Sequence, residues 1–339
     1  MAIEKFKVNR DDEHYEAWPD VVLTDKGKLI CVFTECQHHG CRDFSRLVTV
    51  ESTDRGRTWS DKKPLTEVCM KDNYFNNARI SKVGDRLAIV ADKVLKNEDE
   101  YSEIWIWYGD GEGENFGEPE VHEFRGIVPD KLRVLKTGRY ILAAHFKNHE
   151  TGKLEQYLWY SDDEGKSWSD RVTVAADSRY NLCEACILEC TDGTLVAFMR
   201  ENSGRGYDCF KAISNDGGES WRGPFNAPIP GCHRPVAAFL PSGNILLSYR
   251  YFPKRGRDCF SASNVFLALF DEEASKAEER NELIRTMPLD YDRSHTADTG
   301  YTGFVTFPDG EIYLVNYIVD DAPKGQIRGY SFREDDFYL

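Results

Sequence analysis

This sequence has little of what marks several common protein classes. It has no continuous apolar run of about eighteen residues, which a membrane-spanning helix requires. Its opening residues, MAIEKFKVNRDDEHYEAW, include no apolar segment of a secretory signal, so we expect a cytoplasmic protein, or a secreted one if a leader has been trimmed away. Methionine is scarce, with 4 residues, whereas aromatic residues make up 13% of the chain. That balance favours strands over helices.

The motifs of several large enzyme classes are also missing. The sequence contains no G-x-G-x-x-G, no G-x-x-x-x-G-K-[ST], no H-E-x-x-H and no G-x-S-x-G. The spacing Cys183-x-x-Cys186 has no second copy, and residues three apart on a strand point to opposite faces. His38 and His39 are adjacent, so their side chains would diverge on a strand. We therefore expect no metal and no cofactor, and we expect the 10 cysteines to be reduced thiols.

The charge balance excludes further partners. The chain carries 43 basic and 58 acidic side chains, a net charge of −15 at pH 7. Such a field repels phosphate, so we expect neither nucleic acid nor an anionic membrane as a partner. A hydrophobic content of 41% is enough for a sizeable core. Nothing in the sequence specifies an oligomeric state.

What the sequence does contain is a repeat. Six short apolar segments each follow a glycine-containing turn, as in KTGRYILAA and PSGNILLSY. The six turn glycines are Gly27, Gly84, Gly138, Gly193, Gly243 and Gly310. A glycine turn between two apolar segments predicts a β-hairpin. The number of residues between successive turn glycines suits a unit of four strands. The pattern predicts about six such units in a single domain, residues 1–339.

A second motif occurs in phase with the first. Three octapeptides have the form Ser-x-Asp-x-Gly-x-[Ser/Thr]-Trp, and they begin at Ser52, Ser161 and Ser214. Asp suits a tight turn, Gly permits a positive φ, and Trp packs between sheets. These octapeptides resemble the Asp-box, or BNR repeat, of the sialidase (neuraminidase) superfamily.

The resemblance spans nearly the whole chain and implies an all-β fold, a six-bladed β-propeller with four-stranded antiparallel blades. Residues 3–9 are expected to add a strand to the last blade and so close the ring. The segment DEEASKAEERNELIRTM (271–287) interrupts the repeat and predicts a short helical insert.

In a propeller, ligands meet the first residues of each innermost strand and the last residues of the next strand. Cations are predicted at seven of these positions, together with His145: Arg79, Lys93, Lys131, Lys147, Arg200, Arg234 and Arg250. Guanidinium groups pair with carboxylates, so we expect an anionic ligand.

The resemblance also implies roles for individual residues. CEACILECTDGTLVAFMR resembles the fourth-blade signature of the family, which places the tyrosine-activating acid at Glu184 and a carboxylate-binding arginine at Arg200. DTGYTGFVTFPDGEIYLVNY resembles the segment with the catalytic tyrosine, here Tyr301. Arg234 and Arg250 are further candidates for the arginine triad. A neutral tyrosine suits this chemistry because the substrate's own carboxylate would repel a carboxylate nucleophile.

Two departures from the family pattern affect the predicted site. The family has Arg-Ile-Pro where this chain has Ala17-Trp18-Pro19, so the first triad arginine is missing and Arg79 is its candidate replacement. The family's acid/base aspartate corresponds in position to Asp43, with His38 and His39 as competitors. The departures suggest a relative that acts on another acidic sugar.

The resemblance implies an enzyme, an exo-acting glycoside hydrolase on a terminal acidic sugar, similar to an exo-α-sialidase. Two alternatives stay open. A polysaccharide lyase on a uronic-acid glycan would use His145 or His39 with Tyr301 and the arginines. A glycan-binding propeller would use the same surface without catalysis.

Overall fold

A computed structural model describes residues 3–71, 73–95, 101–253, 263–280 and 282–338. Within these residues the chain forms twenty-five strands, one α-helix and one 3₁₀-helix (Glu334–Tyr338). The strands form six antiparallel sheets, each with a run of four neighbouring strands. One of the sheets has a fifth strand of two residues. This arrangement confirms the predicted class, a six-bladed β-propeller.

The strands follow the chain blade by blade. The N-terminal strand is β1 (Glu4–Asn9). Blade 1 comprises β2 (Tyr15–Leu23), β3 (Leu29–His38), β4 (Cys41–Ser52) and β5 (Lys63–Pro64), with β6 (Cys69–Met70) also paired to β4. Blade 2 comprises β7 (Asn73–Val83), β8 (Arg86–Leu95), β9 (Tyr101–Asp110) and β10 (Glu120–His122). Blade 3 comprises β11 (Arg133–Val134), β12 (Tyr140–Lys147), β13 (Leu154–Ser161) and β14 (Val172–Ala175).

The later blades repeat the order. Blade 4 comprises β15 (Leu182–Glu189), β16 (Leu195–Glu201), β17 (Cys209–Ser214) and β18 (Arg222–Ala227). Blade 5 comprises β19 (Cys232–Phe239), β20 (Ile245–Tyr251), β21 (Asn264–Phe270) and β22 (Arg285–Tyr291). Blade 6 comprises β23 (Thr299–Thr306), β24 (Glu311–Ile318) and β25 (Gln326–Arg333), and β1 is its fourth strand.

The chain divides into two compact units. The first contains Met1–Pro129 and Tyr291–Leu339, which carry blades 1, 2 and 6. The second contains Asp130–Asp290, which carry blades 3, 4 and 5. Each unit has its own buried apolar clusters, one built around Phe33 and Val315 in the first unit and one around Phe198 and Leu247 in the second.

Blade 6 is completed by a strand from the start of the chain. β1 pairs antiparallel with β25, from Glu4 opposite Ser331 to Asn9 opposite Ile327. The predicted closure of the last blade by residues 3–9 is therefore confirmed. The pairing satisfies the backbone groups of β25 on its outer side, which an open edge would leave exposed.

The Asp-box turns lie between the third and fourth strands of blades 1, 3 and 4. In the first of them, Asp54 accepts hydrogen bonds from the backbone N–H (2.9 Å) and the hydroxyl (2.6 Å) of Thr58. The backbone N–H of Gly56 donates to the Ser52 hydroxyl at 2.8 Å. Asp163 and Asp216 make the equivalent bonds in the other two turns. The motif is thus a self-bonded turn, and its aspartates are engaged locally rather than offered to a ligand.

The predicted insert near 271–287 contains a helix that is shorter than the segment. α1 spans Glu272–Lys276, and Asp271 caps it by accepting from the backbone N–H of Ala274 at 2.8 Å. It ends at Ala277, whose backbone is extended. From Arg285 the chain is β22, because this segment also supplies the fourth strand of blade 5. No helix among the described residues is long and apolar enough to cross a membrane.

Candidate functional site

The innermost strand of five blades carries an irregularity at the same place. The registers of β2, β7, β15, β19 and β23 with their neighbours shift at the third residue or soon after. Four residues at these bulges have φ in the left-handed region: Trp18 (55°), Glu184 (53°), Arg234 (51°) and Tyr301 (60°). Such a conformation costs a non-glycine residue about 1–3 kcal/mol and concentrates at functional sites.

In the second unit, the residue at the bulge of β15, Glu184, forms a buried ion pair with Arg200. The Glu184 carboxylate accepts a hydrogen bond from Arg200 Nη1 at 2.6 Å, and both side chains are buried, with 5% and 9% of their surface exposed. Arg200 reaches this position because it lies on β16 opposite Cys183. Its Nη2 donates to the side-chain amide oxygen Oδ1 of Asn202 at 2.6 Å. The pair places a strong anion-binding group beside a carboxylate.

His145, at the end of β12, contacts the same bulge. The backbone N–H of Glu184 donates to its Nδ1 at 3.3 Å, so the proton of the neutral ring belongs on Nε2. Burial lowers the pKa of His145 to about 4, and the nearby Arg200 and Arg234 act in the same direction. His145 is therefore neutral at pH 7. The structure thus brings His145, Glu184 and Arg200 together.

The other two predicted arginines of this unit lie in blade 5. Arg234 occupies the bulge of β19, and Arg250 lies on β20 directly opposite His233. Both are buried. Burial opposes the ionisation of Asp130, but the ion pair with the adjacent Arg133 lowers the pKa of Asp130 below its ordinary value, and Arg234 acts in the same direction. Lys131 is half-buried in the segment before β11.

In the first unit, Tyr301 lies at the bulge of β23. It is 7% exposed, belongs to the apolar cluster of that unit, and its ring centroid lies 6.4 Å from that of Tyr317. Tyr301 and Glu184 belong to different units, and their pairing stays a prediction.

The predicted acid/base candidates lie in quite different surroundings. Asp43 is exposed on β4, whereas His39 is half-buried and its Nδ1 lies 2.5 Å from Asp298 Oδ2. Asp298 also accepts hydrogen bonds from the hydroxyls of Tyr15 and Tyr317, the latter at 2.7 Å. Sequence reasoning did not identify Asp298, although it lies three residues before Tyr301 in the quoted DTGY segment.

Arg79, the candidate replacement for the missing arginine, has internal partners. Its side chain is fully buried, its Nη1 donates to the carbonyl oxygen of Thr302 at 3.0 Å, and its Nε lies 3.4 Å from Asp20 Oδ2. These contacts link β7 to β2 and β23 within the first unit. A role in substrate binding stays a prediction for Arg79.

One cluster in the described residues has the composition of a metal site. Ligand atoms of Asp11, His14 and Glu35 lie within 4.8 Å of one another. However, Lys62 Nζ lies 2.8 Å from Asp11 and 2.5 Å from Glu35. An ammonium group therefore already neutralises these carboxylates, and the cluster fits an ion-pair network better than a cation site.

Comparison with known proteins agrees with this architecture. The model of the BNR repeat-like domain family matches residues 110–283, just over half of the chain. A segment of 127 residues is 28% identical to an anhydrosialidase from Macrobdella decora, a match that spans 34% of this chain and 16% of that protein. This chain thus corresponds to a small part of that relative's length.

Solved structures extend the similarity to the whole chain. A protein of unknown function from Dyadobacter fermentans has a TM-score of 0.80 at 19% identity, with 97% of this chain and 98% of that one covered. The intramolecular trans-sialidase from Ruminococcus gnavus, in complex with oseltamivir carboxylate, has a TM-score of 0.70 at 14% identity, with 97% and 96% covered. At these identities the likeness establishes the fold.

The fold and the three Asp-box turns define a sialidase-type β-propeller. The chain belongs to the BNR repeat-like domain family, within the sialidase superfamily.

Proposed function

We propose that this protein is a glycoside hydrolase that releases a terminal acidic sugar, similar to sialic acid, from a glycan. The observation that carries the proposal is the buried pair of Glu184 and Arg200 at a strained bulge. A pair of this kind is costly to bury, and a sheet needs neither the charges nor the bulge for its own stability. The sialidase relatives support the choice of an acidic sugar.

In this mechanism the arginines bind and the carboxylate accepts a proton. Arg200, with Arg234 and Arg250, pairs with the carboxylate of the sugar. Glu184 takes the proton of Tyr301 as the phenolic oxygen attacks the anomeric carbon and the bond to the glycosidic oxygen breaks. An acid protonates that oxygen, and water then displaces the tyrosine to complete hydrolysis.

A lyase would need a base for the proton next to the sugar carboxylate. His145 suits that role poorly, because burial lowers its pKa to about 4 and makes the ring a weak base. Of the two histidines considered, the lyase alternative therefore depends on His39.

The test is release of the aglycone from fluorogenic α-sialosides and related acidic glycosides. Tyr301→Phe and Glu184→Gln should each reduce kcat/KM by at least ~100-fold, the low end for a positioned catalytic group. Tyr338→Phe, a change of the same kind at an exposed tyrosine of the 3₁₀-helix, is the matched control and should retain activity.

Three results would count against the proposal. The first is full activity in Tyr301→Phe. The second is an ultraviolet-absorbing unsaturated product from a uronic-acid polymer, which only elimination forms. The third is binding of acidic glycans without turnover of any of them, which would identify a glycan-binding propeller.

A further inference from the structure

We propose that His39 is the group that exchanges a proton with the glycosidic oxygen, and that Asp298 is its positioning residue. The inference rests on the proposed function and specifies its acid/base step, for which the sequence leaves Asp43, His38 and His39 as candidates.

The first argument is the geometry at Asp298. One carboxylate receives three side chains, because Oδ2 contacts His39 Nδ1 and the Tyr15 hydroxyl while Oδ1 accepts from the Tyr317 hydroxyl. Burial raises the pKa of Tyr15, with contributions from Tyr317 and Asp298, so this hydroxyl stays protonated and donates. Two phenol donors and an imidazole leave the carboxylate in one orientation.

The backbone on both sides of this carboxylate is also fixed. Asp292 accepts hydrogen bonds from the backbone N–H groups of Asp298 (3.1 Å), Val319 (3.0 Å) and Asp320 (3.0 Å). The segment before β23 is thereby tied to the end of β24. A catalytic group needs such rigid support, since small displacements cost much of its effect.

His39 makes two further contacts, one through its ring and one through its backbone. Its ring makes an edge contact with Trp18 at 5.3 Å between centroids, and Arg42 donates to the His39 carbonyl oxygen at 2.5 Å. The Arg42 guanidinium in turn lies 4.0 Å from the centroid of the Trp18 ring. The groups in contact with His39 are therefore Trp18 from β2, Arg42 from β4 and Asp298, while Tyr15 and Tyr317 contact Asp298.

This arrangement determines which nitrogen reacts. A carboxylate at Nδ1 accepts the Nδ1–H, so the proton exchanged with substrate is on Nε2. The side chain of His39 is 41% exposed, against 19% for Asp298, so the ring is the accessible member of the pair. In the first step Nε2–H passes to the glycosidic oxygen as its bond to the anomeric carbon breaks. In the second step Nε2 takes a proton from the water that replaces the tyrosine.

A second histidine–aspartate pair in the same unit provides a matched control. His14 Nδ1 lies 2.9 Å from Asp11 Oδ2, and its side chain is 40% exposed. Asp11 is bound by Lys62 rather than by tyrosine hydroxyls. The two pairs resemble each other in distance and exposure, so they differ mainly in surroundings.

The experiment compares two substrates that differ only in the leaving group. On a glycoside whose leaving group is the hydroxyl of another sugar, His39→Gln should lower kcat by at least ~100-fold. On a glycoside of an acidic phenol, which leaves without protonation, the loss of kcat should be less than ~10-fold. Asp298→Asn should show the same contrast with a smaller loss. His14→Gln should match the wild type on both substrates.

A measurement without turnover tests the positioning separately. The ¹⁵N NMR shifts of the His39 ring should report the Nδ1–H tautomer in the wild type and a mixture in Asp298→Asn, with the His14 ring unchanged. An unaltered tautomer in Asp298→Asn would overturn the positioning role. A loss that depends on the leaving group in Asp43→Asn, with normal turnover in His39→Gln, would overturn the assignment of His39.

Failure of the proposed function would look different. A wild type that cleaves none of the acidic glycosides contradicts the hydrolase and the acid/base step with it, even where NMR shows the tautomer. Because Asp298 anchors two tyrosines, circular dichroism should first show that its variant is folded, and His39→Gln, which alters only a half-exposed ring, carries the test if it is not.

Discussion

At the scale of single residues, four non-glycine residues carry backbone strain at bulges of the innermost strands. Trp18, Glu184, Arg234 and Tyr301 all have left-handed backbone conformations at strand bulges. A regular strand would alternate its side chains between two faces, whereas a bulge re-aims one of them. Only a well-paired sheet on either side can hold such residues in place.

His145 makes stability depend on pH. Its folded pKa is about 4, whereas a free histidine titrates near ~6.5, so protons favour the unfolded state. This contribution to stability is complete above about pH 6.5 and is lost as the pH falls toward 4. Between pH 7 and 5 the loss should be about 2 kcal/mol.

Urea denaturation of the wild type and His145→Asn at both pH values measures this effect. Asparagine can still accept from the backbone N–H of Glu184 but does not titrate, so the variant should lose about 2 kcal/mol less over the same interval. His149→Asn, at an exposed histidine of the next turn, should behave as the wild type does. Equal pH dependence in His145→Asn and the wild type would contradict the prediction.

The sequence predicted the candidate site residues better than it predicted the contacts between them. The resemblance placed Glu184 and Arg200 in one short segment, and the register of β15 and β16 brings the two side chains together. Asp298 was missed because its contact with His39 spans 259 residues, and only the packing of blade 6 against blade 1 creates it. Hydrogen bonds between distant segments leave no local pattern in a sequence.

At the scale of elements, the Asp-box turn shows why a glycine is needed at one position. Gly56 has φ +83°, and a Cβ there would overlap the ring of Tyr313. The Tyr313 hydroxyl donates to the carbonyl oxygen of Gly56 at 2.7 Å, and Trp59 Nε1 donates to the same oxygen at 3.1 Å. The turn therefore presses directly against blade 6.

Gly27 offers a direct comparison with Gly56. It has φ +85° in the same blade, but a Cβ there would meet no described atom within 4 Å. Gly27→Ala should cost about 1–2 kcal/mol for the left-handed backbone alone. Gly56→Ala should cost a further ~1–3 kcal/mol for overpacking. Chemical denaturation of both variants measures the difference, and equal losses would show that Tyr313 yields easily.

The boundaries of an element were predictable only where nearby residues specify them. The hairpin turns and Asp-boxes were predictable because each is specified within about ten residues. The extent of α1 was not, because the charged segment after Lys276 must also return the chain to blade 5 as β22. Sheet pairing, a tertiary interaction, here overrides a helical composition.

At the scale of the whole molecule, the fold was predictable because it is repetitive. Six units with the same turn and the same strand order specify a propeller even where single units diverge, as in blade 2, where Asp110 accepts from the backbone N–H groups of Glu112 and Glu114 without an Asp-box sequence. The candidate binding residues do not repeat from blade to blade, so the sequence constrains the ligand far less than it constrains the fold.

The closure of blade 6 makes the N-terminal segment part of the fold. β1 pairs with β25, its Val8 is buried, and Phe6 stacks on Tyr313 at 6.2 Å between centroids. Deleting residues 1–9 would expose the backbone edge of β25 together with this apolar surface. We expect a midpoint of thermal unfolding at least several degrees lower and concentration-dependent association in light scattering, since a bare strand edge recruits other chains. Deletion of residues 1–3 alone leaves β1 intact and should change neither property. If the longer deletion remains monomeric with an unchanged midpoint, the three strands β23, β24 and β25 suffice, and the ring does not depend on its first strand.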